Sequence, residues 1–165
     1  MPILVSDTSV IIDLERGSFL QDLFSLPFEF AVPDLLFDRE LKGELGEQLL
    51  ALGLRVEELD SSELARAIVV RRERTALSTP DTFAFAIAES RNWALLTGDG
   101  ALRRFASDQG VATNGVLWIC DQLEAHAVLD CERLHAGLTT ISGHPRCRLP
   151  GAEVTARLKR YSAGG

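Results

Sequence analysis

No apolar run in this 165-residue chain approaches the roughly 20 residues that a membrane-spanning helix needs. The three cysteines, Cys120, Cys131 and Cys147, show no C-x-x-C spacing, and an odd number cannot all pair. Reduced thiols in a cytoplasmic protein are therefore expected. His126, His135 and His144 have no metal-ligand spacing either. Lysine is also scarce, with Lys42 and Lys159 the two among 17 basic residues, and acids outnumber bases to give a formal net charge of −7. That charge argues against a protein that coats nucleic acid through a broad positive field. It leaves room for a nuclease, whose metal site needs acids and whose grip on the backbone needs only local basic patches. The opening MPILVSDTS lacks the basic n-region of a signal peptide and is expected to be a buried strand.

What is present is ordinary globular material, 46% hydrophobic and 25% charged, enough for one domain with a sizeable core. Short apolar runs at Ile3–Val5, Phe28–Val32, Leu54–Leu59, Trp93–Thr97 and from Val111 read as strands. Between them lie helical patterns. The first carries Val10, Ile11 and Leu14, with Thr8 or Ser9 as N-cap and Gly17 as stop. Others run from Leu35 to about Gly43, Glu44 to Leu52, Ser62 to about Thr75, and through Leu102 and Phe105. In LSTPDTFAFAIAESRN, Thr79 is the expected N-cap and Pro80 the first helical residue. Helices around Val116–Leu123, 130–142 and 151–161 follow, and the closing SAGG is expected to fray. The alternation predicts an α/β domain, a central parallel sheet with helices on both faces. Residues 1–125 form its main body and 126–165 a helical C-terminal extension of the same domain. Trp93 and Trp118 read as core.

Ligands of open parallel sheets sit beyond the carboxyl ends of the strands. Asp7 ends strand one, and Asp99, in LLTGDG, follows the Trp93–Thr97 strand between two glycines. Asp81 lies in the first turn of a helix that should face the same edge, where the macrodipole favours a carboxylate. Glu40 lies in the helix after strand two, while Asp13, Asp38 and Glu44 read as solvent-facing alternatives. Singly, each acid has a bland explanation as turn or helix-start residue. Jointly, like charges about 4 Å apart repel by about 4 kcal/mol at an effective dielectric of about 20. Such a cluster persists by raising its pKa values or by holding a cation. Hard oxygen donors select Mg2+ or Mn2+, and Mg2+ binds few carboxylates together with substrate phosphates. Thr8 or Ser9, and Thr97, are placed to orient the carboxylates. Arg71, Arg72 and Arg74 before Asp81, and Arg103 and Arg104 after Asp99, are candidate phosphate contacts.

This order of acids resembles that of the PIN-domain ribonucleases. ILVSDTSVIIDLERG is similar to the family's opening block, FAVPDLLFDRELKGE to its second, and STPDTFAFAIAESRNWALLTGDGALRRFA to its third. GVLWICDQLEAH looks like the tail of VapC-like members, and the resemblance spans about residues 3 to 125. It implies Asp7, Glu40, Asp81 and Asp99 as catalytic metal ligands and metal-dependent cleavage of single-stranded RNA. It also implies a toxin of a type II toxin–antitoxin pair, a neutralising antitoxin protein and a homodimer. Other acid-bearing α/β folds fit poorly. A receiver domain needs a lysine after a later strand, a haloacid-dehalogenase-like phosphatase needs D-x-D at Asp7, and GDGALR lacks the third glycine of a dinucleotide fingerprint. The remaining competitor is a catalytically inactive PIN-like module that binds protein or RNA.

Overall fold

The computed structural model describes residues 1–164. Five strands, β1 (Ile3–Ser6), β2 (Glu29–Pro33), β3 (Arg55–Glu57), β4 (Ala94–Leu96) and β5 (Thr113–Asn114), form one sheet in the order β3-β2-β1-β4-β5. Every pairing is parallel. Beside β1, Leu4 pairs with Ala94, Val5 with Leu95 and Ser6 with Leu96. The chain steps outward from β1 to β3, then returns to lay β4 on the other side of β1. The crevice at this reversal opens at the carboxyl ends of β1 and β4.

Ten α-helical segments, α1 (Thr8–Arg16), α2 (Leu20–Leu23), α3 (Asp34–Leu36), α4 (Glu44–Leu52), α5 (Ser61–Glu73), α6 (Thr79–Arg91), α7 (Gly100–Asp108), α8 (Val116–Ala125), α9 (Cys131–Gly143) and α10 (Gly151–Gly164), cover the sheet. Successive strand residues alternate between its faces. Leu4 and Leu96 thus join a core with α1, α2, α8, α9 and α10, while Val5 and Leu95 join one with α5, α6 and α7. Trp118 and Trp93 lie at the margins of these two cores, each partly buried. No helix among the described residues is long and apolar enough to cross a membrane.

Several boundaries differ from the expected ones. The cap of α1 is Asp7, whose side chain accepts the Val10 N–H, rather than Thr8 or Ser9. The cap of α6 is Ser78, in a reciprocal capping box with Asp81, so Thr79 and Pro80 are helical. Both shifts follow from which oxygen reaches an orphan N–H. After α3 the chain widens into a π-helical turn, Phe37–Leu41, closed by Lys42 N–H to the Phe37 carbonyl at 2.9 Å. The helix α10 runs on through Gly164, against the expected fraying of SAGG; Gly165 lies outside the described residues. It is clamped to α8 by Arg157, which donates to both carboxylate oxygens of Asp121 at 2.8 and 2.7 Å.

One charge sits deep in the wall opposite. Glu63 is 2% exposed, completes the α5 capping box with Asp60, and accepts from Arg91 Nε and Nη2 at 3.0 and 3.1 Å. Burial alone would raise its pKa, but the Arg91 and Asp60 hydrogen bonds hold it below the usual glutamate value of 4.5. A folded-state pKa below the unfolded one contributes stability above the unfolded pKa, and that stability is lost as pH falls through the folded pKa. Glu63→Gln is expected to cost about 2 kcal/mol at pH 7. Its melting deficit should shrink below the ordinary glutamate pKa, and a deficit unchanged between pH 7 and pH 3 would show that the charge contributes nothing.

Candidate metal centre

Three helix N-termini converge on the crevice between β1 and β4, and each brings an aspartate. Asp7 caps α1, Asp99 caps α7 by accepting the Ala101 N–H at 3.0 Å, and Asp81 stands in the first turn of α6. They share a depression of about 190 Å³ with Thr8, Ser9, Gly98 and Arg148. The positive ends of three helix dipoles offset part of the carboxylate repulsion there. A larger depression, about 520 Å³, opens near Pro2, Trp93 and Val111; its one acid is Glu89, already paired with Arg66 at 2.9 Å.

Asp7 is the anchor. It is 2% exposed, and its backbone N–H donates to the Leu96 carbonyl at 2.9 Å, fixing it against β4. Its carboxylate accepts from Thr97 Oγ1 at 2.5 Å, Ser9 Oγ at 2.8 Å and the Val10 N–H at 3.0 Å. Burial nonetheless wins over these bonds and pushes the Asp7 carboxyl up to about 6, with Asp81 adding to the rise. Burial also raises Asp81, against the Ser78 bonds, and the negative charges of Asp99 and Glu40 add to it. The hydroxyl of Thr97 ties two acids together, since it also accepts the Asp99 N–H at 3.0 Å. Ser9 Oγ likewise accepts the Gly98 N–H at 3.3 Å. All three expected carboxylate-orienting residues, Thr8, Ser9 and Thr97, therefore touch the acids or the loop that carries them.

Glu40 reaches the rim, where its carboxylate accepts the Thr8 hydroxyl. Asp38, two residues earlier, faces a separate depression with Leu35, Leu64 and Phe83. Asp13 is half-buried and paired with Arg16 at 3.3 Å, and Glu44 is exposed at the start of α4. None of the five arginines singled out as phosphate contacts lines the acidic depression. Arg103 Nη2 donates to the Thr97 carbonyl at 2.8 Å, and Arg74 lies 5.4 Å from the Phe105 ring centre. Among the described residues, the one cation at the depression is Arg148, from the loop between α9 and α10. Its only trace in the sequence is the pair of arginines in HPRCRLPG, which carries no helical or strand period.

The donor set fits a hard divalent ion: oxygen atoms only, with negative charge in excess and at least two carboxyls raised by burial and mutual repulsion. One oxygen each of Asp81 and Asp99 accepts no hydrogen bond among the described residues. No three His, Cys, Asp or Glu side chains among the described residues close into a ready cage. An open, partly solvated arrangement of this kind suits Mg2+, which keeps several of its waters.

The DUF3368 PIN-domain family model matches residues 3–163. Among solved structures, a PilT N-terminus domain protein from the hyperthermophilic archaeon Sulfolobus solfataricus P2 is similar, with 14% identity and a TM-score of 0.49 over 74% of this chain and 94% of that one. No curated protein matches the chain. With the family model spanning nearly every described residue, the chain belongs to the PIN-domain family, whose members are generally metal-dependent nucleases.

Proposed function

We propose that the protein is a divalent-metal-dependent endoribonuclease that cleaves phosphodiester bonds of single-stranded RNA. The observation that carries this reading is the meeting of Asp7, Asp81 and Asp99 in one depression at the switch point of the sheet. Asp7, Asp81 and Asp99 would hold Mg2+ or Mn2+, with Glu40 joining from the rim beside Thr8. A divalent ion held there supplies Lewis acidity, offsetting charge on phosphate oxygens and acidifying water. The hydroxyls of Thr97 and Ser9 hold the Asp7 carboxylate in one orientation and favour its ionised form. The Thr97 hydroxyl also positions Asp99 through its backbone N–H, so one side chain links the two acids. Gly98 leaves room for the Ser9 hydroxyl, which a Cβ there would meet at 3.3 Å.

The resemblance to VapC-like members extends the proposal to a cytoplasmic toxin that forms a homodimer and is neutralised by a cognate antitoxin protein. Leu64 and Ile68, 38% and 50% exposed at an i, i+4 spacing on α5, support a protein partner. The test is incubation of purified, inhibitor-free protein with a structured RNA pool in Mg2+, Mn2+ or EDTA. Cleavage in either metal and its loss in EDTA are expected, with cuts confined to unpaired regions. Inertness under both metals would leave an RNA- or protein-binding module in its place.

A further inference from the structure

We propose that Arg148 is a substrate contact of this site, its guanidinium gripping a phosphate of the RNA at the acidic depression; this rests on the nuclease reading above. A pocket walled by aspartates repels the polyanion it must accept, and the chain's net charge of −7 offers no general compensation. A side-chain cation beside the metal site would ease that approach, and among the described residues Arg148 is the one that lines the depression. Three aspartates line it too, yet Arg148 forms no ion pair within 4.0 Å among the described residues. It is also exposed, so its planar donors remain available to two phosphate oxygens at once.

The loop that carries Arg148 is held from both sides. The Cys147 N–H donates to the His144 carbonyl at 3.0 Å, the Arg146 N–H to His144 Nδ1 at 3.1 Å, and the Leu149 N–H to Cys147 Sγ at 3.4 Å. Leu149 packs against the core, and α10 beyond it is clamped by Arg157 and Asp121. Arg103 is committed to the Thr97 carbonyl, Arg157 to Asp121 and Arg160 to Glu124, and Arg104, beside Gly100, does not line the depression. A tethered loop that places one unpaired cation beside three carboxylates is arranged to receive an anion.

The experiment compares wild type, Arg148→Ala and Arg148→Lys. It measures kcat/KM on a short single-stranded RNA in Mn2+, Mn2+ affinity, and the salt dependence of binding the same RNA in EDTA. Thermal melts should coincide, because the side chain is exposed. Arg148→Ala should lower kcat/KM about 10- to 100-fold, the size of one charge-assisted hydrogen bond, with Lys restoring part of it. The slope of log affinity against log salt should fall by about 0.7, one phosphate contact on a single strand. Unchanged kcat/KM and slope in the Ala variant overturn the proposal and leave the nuclease reading standing. So does tighter Mn2+ binding with unaltered RNA parameters, which would make Arg148 a counter-charge to the acids. If wild type cleaves nothing, the nuclease reading fails separately, and the salt slope still decides for or against the phosphate contact.

Discussion

Asp7→Asn is expected to abolish metal-dependent cleavage and, in the same protein without metal, to raise the melting temperature. The loss should reach on the order of 100- to 1000-fold, because several kcal/mol of charge stabilisation depend on the ion and each 1.36 kcal/mol is about tenfold. The gain has a different origin. The Asp7 carboxyl is displaced by burial from an ordinary 3.8 to about 6, so at pH 7.5 the fold holds a charge it would shed if it could. A displacement of that size corresponds to about 3 kcal/mol. Asparagine keeps the shape but weakens the Thr97 and Ser9 bonds, leaving a net gain of about 1 to 2 kcal/mol. At about 2–4 °C per kcal/mol for a chain of this length, the melting point rises by about 2–8 °C. The sign follows from linkage: a carboxyl whose folded pKa lies above its unfolded one weakens the fold only where it is ionised. The gain should therefore be full above pH 6 and vanish by about pH 4. Calorimetry in EDTA at pH 7.5 and pH 4 checks it, and a variant that melts no higher than wild type at pH 7.5 would remove the claim that burial strains Asp7.

Gly137→Ala should be the most damaging single methyl in the chain. A Cβ at Gly137 would stand 2.1 Å from Phe19 Cζ, 2.3 Å from Phe19 Cε1 and 2.8 Å from the Gly17 carbonyl oxygen. Phe19 is fully buried and cannot swing into solvent, and the Gly17 carbonyl can move only with its backbone. The close approach of α9 to the turn after α1 must open, at a cost of about 3 kcal/mol and a drop of about 6–12 °C in melting temperature. Gly143→Ala, at the end of the same helix with nothing within 4 Å of its Cβ, is the control and should change little. Adding Phe19→Leu to Gly137→Ala should recover part of the loss. A double variant no better than the single would mean that Phe19 is not the obstacle. The loop bearing Arg148 leaves the end of α9, so the single variant should also lose affinity for RNA at temperatures where it remains folded.

The parallel sheet and the acids at its carboxyl edge were legible in the sequence because their signals are local. Ile3–Val5 running into Asp7, and Trp93–Thr97 running into GDG, each show a buried strand ending at a carboxylate within a few residues. Serine and threonine beside those acids were equally readable as their orienting partners. The exact caps were not, because Asp7, Thr8 and Ser9 are all good capping residues and only the three-dimensional approach of the Val10 N–H selects one. The π-helical turn at Phe37–Leu41 and the short helix α2 have no period long enough to register. Arg148 was out of reach for a different reason. It enters the site through the packing of α9 and α10 against α1 and α8, and nothing within its own loop announces a destination.

The strand order has a consequence for how the molecule is made. β1 is synthesised first, yet its partner β4 arrives about ninety residues later, as the Thr97-to-Asp7 bond spans 90 positions. Until then one edge of an apolar central strand lies open on the nascent chain, and the depression lacks a wall. A ribosome-bound product ending before Thr97 holds Asp7, Glu40 and Asp81 but neither Asp99 nor Arg148. On the proposed reading, a nascent chain cannot cut before β4 and the GDG turn that carries Asp99 have left the exit tunnel and closed against β1.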